Sequence, residues 1–117
     1  MKIQNANERE IINKITPIVK ELEKGWNNND YEIFIQHVAN DKKQLIDIEN
    51  FKQQRSNAIK ELGKSSLGKL IKVHKNPGNV VAIWEIKFEK RSETGIGVYR
   101  FIETSEGIKV ESSLHHH

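Results

Sequence analysis

Two stretches decide the fold: Val80-Val81-Ala82-Ile83-Trp84-Glu85-Ile86-Lys87-Phe88 and Gly95-Ile96-Gly97-Val98-Tyr99-Arg100-Phe101-Ile102-Glu103. Both repeat with a period of two, the signature of strands with distinct faces. Which side chains enter the core depends on how the two align, because a slip of one residue moves every side chain to the other face.

Around them, the spacing predicts four strands near Leu67–Lys75, Val80–Lys90, Gly95–Glu103 and Gly107–Ser112. Asn76-Pro77-Gly78-Asn79, Ser92-Glu93-Thr94 and Ser105-Glu106-Gly107 separate them. Such short connections make successive strands antiparallel neighbours. Closing the first hairpin around Pro77-Gly78 sets Val73 opposite Ala82 and Ile71 opposite Trp84. Closing the second around Glu93 sets Trp84 opposite Ile102, Ile86 opposite Arg100 and Phe88 opposite Val98. A three-residue third loop, with Gly107 left-handed, sets Ile102 opposite Val110. The expected inner face is then Leu67, Ile71, Val73, Ala82, Trp84, Ile86, Phe88, Ile96, Val98, Ile102, Ile108 and Val110. On the outer face Leu70, Val81, Ile83, Tyr99 and Phe101 form an apolar patch, for which packing against a second copy is the expected outlet.

Upstream of the strands the period is helical. Asn7 and Glu10 read as a capping box, followed by Ile11, Ile12, Ile15, Ile18, Val19, Leu22 and Trp26 on one stripe. Pro17 interrupts this stripe without changing its phase, so one kinked or restarted helix is expected. Asn29 and Glu32 are expected to cap a short second helix carrying Tyr31, Phe34, Ile35 and Val38. Asp47 begins a third, which Gly63 ends. The whole reads as an α+β domain spanning residues 1–114. His115 to His117 look like the remnant of a purification tag and are excluded from the chemistry.

Composition narrows the classes. Hydrophobic residues make up 36% of the 117, enough for one core and too few residues for two. Without cysteine there is no disulfide framework, thiolate metal site or Cys nucleophile. Nineteen basic and sixteen acidic residues alternate along the chain rather than gather in a stripe, so a nucleic-acid partner is not expected. No apolar run approaches the ~18 residues of a membrane span. The compartment is left open: cytoplasmic by default, with an exported mature domain as the alternative.

Helices followed by a curved antiparallel sheet, with Trp26-Asn27-Asn28-Asn29-Asp30-Tyr31 leading into helix two, resemble the nuclear transport factor 2-like superfamily. This group includes ketosteroid-isomerase-like and SnoaL-like polyketide cyclase domains; a cystatin-like arrangement is the nearest competitor. The resemblance implies a cone-shaped roll, three N-terminal helices packed on a four-stranded sheet, a pocket between them and an outer face that often dimerises. It also implies that Trp26, Tyr31, Phe34, Trp84 and Phe88 lie toward the pocket.

Two cations interrupt the expected inner face, Lys69 and Arg100. A buried guanidinium needs either a protein carboxylate or an anionic ligand, so both residues are candidates for holding a small anion. His37 and Asp41 supply too few ligands for a metal, and no metal or cofactor motif is present. No catalytic residue is assigned. The expectation is an apolar, non-catalytic pocket for a small molecule in a homodimer. The alternatives are a small isomerase, cyclase or hydrolase, or an interaction module with a collapsed pocket. A helix acid (Glu21, Glu23 or Asp47) inside an open pocket would favour the enzyme, and a filled cone the interaction module.

Overall fold

A computed structural model describes residues 5–43 and 46–117. Among the described residues four helices precede four strands: α1 (Glu8–Asn27), α2 (Tyr31–Ile35), α3 (Asn40–Lys43), α4 (Ile48–Leu62), β1 (Ser65–Lys75), β2 (Val80–Phe88), β3 (Gly95–Thr104) and β4 (Gly107–His116). The expected three helices are therefore joined by one further turn of helix, α3. The strands form one antiparallel sheet in sequence order.

Local chemistry explains the helix limits. The Asn7 side chain accepts from the Glu10 N–H while the Glu10 carboxylate accepts from Asn7, a complete capping box. Pro17 lies inside α1 without ending it. Asp30, not Asn29, caps α2: its carboxylate accepts from Ile33, and Asn29 takes the left-handed turn at φ 56°. Asp47 caps α4, and Gly63 stops it at φ 77°. Glycine is also required at Gly25, where a Cβ would stand 2.7 Å from the Phe34 nitrogen, so its absence lets α1 and α2 touch backbone to backbone.

The sheet register departs from expectation at each hairpin. In the first, Val73 does pair with Ala82, but bulges place Leu70 opposite Trp84 and leave Ile71 51% exposed. In the second, Trp84 pairs with Gly97, Ala82 with Tyr99 and Val80 with Phe101. The expected Trp84–Ile102 alignment is displaced by an odd number of residues, so all of β3 is turned over. In the third, Phe101 pairs with Val110 across a two-residue turn, with Gly107 at φ 105°.

Three physical terms favour this alignment of β3. Gly95 and Gly97 face inward where no side chain fits: a Cβ on Gly97 would meet the Tyr99 ring at 2.9 Å and Ile86 at 3.0 Å. Arg100 stays in water, its side chain 47% exposed and 3.5 Å from Glu111, so no guanidinium is desolvated. The β2–β3 connection is held elsewhere, since Glu89 and Lys90 donate to Lys64 and Leu62 and the Glu89 carboxylate accepts from Lys64. That anchor at the α4–β1 junction replaces the tight turn expected at Glu93.

Trp84 and Arg100 consequently point to opposite sides. Tyr99 and Phe101, expected outside, are buried at 4% and 0% exposure, and Leu70 packs on the core. Ile96, Val98 and Ile102, expected inside, lie on the outer face with Val81 and Ile83. The inner face meets Ile11, Ile15, Val19 and Leu22 of α1 in one core. At ~1.5–3 kcal/mol per large buried side chain, this contact dominates stability.

Candidate functional site

A cleft of about 280 Å³ opens at one end of the core. Leu22, Glu23 and Trp26 from α1 and Phe34 from α2 form one side; Gln54, Ala58 and Leu62 from α4 form another. Ser65, Phe88, Tyr99 and Ser113, one from each strand, close the floor. Phe34 lies over Trp26 with ring centroids 6.1 Å apart, and Phe51 braces both rings from behind at 5.0 and 5.6 Å.

Trp26, at the end of α1, is held on the cleft wall by the way that helix ends. Arg55 of α4 donates from Nε to the Trp26 carbonyl and from a terminal nitrogen to the Asn27 carbonyl at 2.8 Å. A cation on the last carbonyls of a helix opposes its negative end. The Asn27 side chain in turn accepts from Ser65 N–H at 3.0 Å and donates to the Ser65 carbonyl at 2.7 Å. Together these bonds tie α1, α4 and β1 beside the cleft walls formed by Trp26 and Ser65.

Glu23 is the acid in this apolar setting. Its carboxylate accepts from the Leu67 N–H at 3.2 Å and from the Ser65 hydroxyl at 3.4 Å. Burial pushes its pKa from 4.5 to about 7, and the two hydrogen bonds and Lys20 offset only part of that rise. Tyr99 is raised above the ordinary phenol, first by burial and then by the nearby Glu23 charge. Its hydroxyl lies 2.9 Å from Nε2 of His115. His115 and His117 also line the cleft, but they belong to the tag-like tract and are assigned no role.

Of the residues expected in the pocket, Trp26, Phe34 and Phe88 line the cleft. Tyr31 instead donates to the Ile46 carbonyl at 2.6 Å and packs edge-on against Phe51. Trp84 is core, T-shaped against Tyr99. Lys69 and Arg100 are exposed and away from the cleft, because the bulge at Gly68–Lys69 and the register of β3 turn them outward. They therefore form no anion site in the cleft. Of the helix acids, Glu21 binds His37 at 2.9 Å and Gln36 at 2.8 Å, and Asp47 caps α4. Only Glu23 of the three reaches the cleft. The available signal for it was helical phase, since Leu22, Glu23 and Trp26 share one side of α1.

Among the described residues no group of three His, Asp or Glu side chains could hold a metal ion. Among the described residues no helix is long and apolar enough to cross a membrane.

Fold and cleft define a small α+β domain in which helices precede a four-stranded antiparallel open sheet. No protein-family model matches the sequence, and no curated protein matches it either. Among solved structures the chain is similar to the Bdellovibrio bacteriovorus protein Bd1075, with a TM-score of 0.59 and 11% identity. The match covers 94% of this chain and 42% of that one, so this chain spans less than half the length of that protein. At that identity the likeness shows a common fold alone.

Proposed function

We propose that the chain is a non-catalytic small-molecule-binding domain of the nuclear transport factor 2-like kind, acting as a homodimer. The carrying observation is the cleft itself: aromatic and aliphatic walls left open around one half-buried acid. Its volume lies at the small end of ligand pockets, which suits a compact molecule.

Dimerisation is supported by the outer face. Ile83, Val98 and Leu114 form one cross-strand row, with Leu114 58% exposed and Ile96 beside it, and the helices pack on the opposite face. Lys72, Glu85, Arg100 and Glu111 around the row carry both signs, so two copies related by a two-fold axis can oppose unlike charges around a shared apolar centre. Native mass spectrometry of freshly purified protein tests both parts. A dimer carrying a retained mass supports them; an empty monomer that also fails to bind a fragment library overturns them. Val98→Glu should yield a folded monomer.

An enzymatic reading has one specific observation in its favour. A carboxylate with a pKa of about 7, beside a phenol and within an apolar cleft, is placed to accept and return a proton. The readings separate when a bound molecule is recovered after long incubation: unchanged under the binding reading, rearranged under the enzymatic one.

A further inference from the structure

We infer that the cleft selects a small organic amine, an ammonium carried on an apolar body, with Glu23 as its counter-ion. This rests on the small-molecule reading above and names the ligand class. Among the described residues the cleft wall contains one carboxylate and neither lysine nor arginine; the other titratable groups on it are Tyr99, His115, which burial holds below the ordinary imidazole range, and His117. An anionic ligand would therefore bring its charge next to Glu23, where Lys20, the weakest of the groups that favour the ionised carboxylate, offsets little of the repulsion. A purely apolar ligand would cover the carboxylate and remove its remaining water.

An ammonium satisfies what both leave unmet. Each Glu23 oxygen accepts one hydrogen bond from the protein, and a carboxylate oxygen can accept two. The rings of Trp26, Phe34, Phe88 and Tyr99 surround the same space, and aromatic faces attract cations within ~6 Å. The raised pKa of Glu23 reports the same deficiency: burial dominates, and Lys20 makes the smallest of the opposing contributions. An ammonium in the cleft would supply the missing opposite charge and drive Glu23 to ionise.

The test compares three probes with a common phenylalkyl body: 2-phenylethylamine, 2-phenylethanol and 3-phenylpropionate. Titrations of the full chain at pH 8 are followed by calorimetry and by the two tryptophan indole N–H resonances. The amine should bind about tenfold more tightly than the alcohol, and the carboxylate more weakly than either. It should shift Trp26 and leave the core Trp84 resonance in place. In weak buffer at pH 7, amine binding should release roughly half a proton, as expected for a group near its midpoint driven to ionise. In Glu23→Gln both the preference and the proton release should disappear. Equal or tighter binding of the alcohol or carboxylate overturns the amine inference and leaves the small-molecule reading standing. Binding by none of the three at millimolar concentration, together with an empty protein in native mass spectrometry, overturns both. Should Glu23→Gln fail to fold, the probe order and the proton release on the unmodified chain still decide.

Discussion

Glu23→Gln should stabilise this protein at alkaline pH and leave it nearly unchanged at acid pH. In the folded chain Glu23 titrates near 7, against 4.5 when unperturbed, so the folded state holds its proton more tightly than the unfolded chain. Below pH 4.5 both states are protonated and the carboxyl group carries no penalty. Between 4.5 and about 7 the unfolded chain has already lost the proton, so stability falls as pH rises, and above about 7 the full penalty remains. Taken whole, the displacement corresponds to ~3 kcal/mol. Glu23 is only half-buried, and solvent screening reduces this to about 1–2 kcal/mol. Glutamine preserves shape, and its carbonyl can keep the Leu67 N–H bond while its amide donates to the Ser65 hydroxyl. Urea denaturation of both chains at pH 5, 6, 7 and 8 measures the difference. It should open across this range to about 1–2 kcal/mol in favour of the variant. Parallel profiles for the two chains would refute the placement of Glu23 in an apolar cleft. A residue that weakens the fold while lining its cleft fits a binding role better than a structural one.

Register, backbone contact and helix capping supply further tests. Phe101→Ala should cost about 3–5 kcal/mol and Arg100→Ala within about 0.5 kcal/mol by urea denaturation, since the first is fully buried and the second solvated; the reverse order would restore the Glu93-centred hairpin. Gly25→Ala should cost about 3 kcal/mol, because the new methyl meets the Phe34 and Asp30 backbones rather than movable side chains. It should also disturb the Trp26 indole signal, as Phe34 is pushed from its place against that ring. Arg55→Met should cost about 1–2 kcal/mol through loss of the bonds to the Trp26 and Asn27 carbonyls. A thermal melt coincident with the unmodified chain would show that Arg55 does not hold the end of α1.

Helix starts and stops were legible, the cap of α2 excepted (Asp30 in place of Asn29), because they depend on neighbours in sequence. Asn7 with Glu10, Asp47 and Gly63 act within one turn of chain, and the structure uses each as expected. Strand positions were nearly as legible, since period two and turn residues are also local. The face of β3 was not. Ile96, Val98 and Ile102 on one side and Tyr99 and Phe101 on the other give both parities an apolar score, so hydrophobic matching chose the wrong one. Arg100, Gly95 and Gly97 held the discriminating signal: a cation on one parity, and vacant positions on the other that large neighbours fill. For the candidate site, Trp26, Phe34 and Phe88 came from the resemblance and do line the cleft. Lys69 and Arg100 belong to the Glu93-centred alignment, which the chain does not adopt, and apart from its helical phase nothing local in the sequence distinguishes Glu23 from Glu21 or Asp47.

Sequence by itself determined that this chain builds capped helices followed by four antiparallel strands, because those choices rest on interactions within a few residues. Only tertiary structure decided which side of β3 is core, and with it where Arg100 points and which acid meets the aromatic walls. Those outcomes depend on the space left by Gly95 and Gly97 and on the anchoring of Glu89 and Lys90 to the end of α4. Both are contacts between segments whose meeting no local pattern encodes.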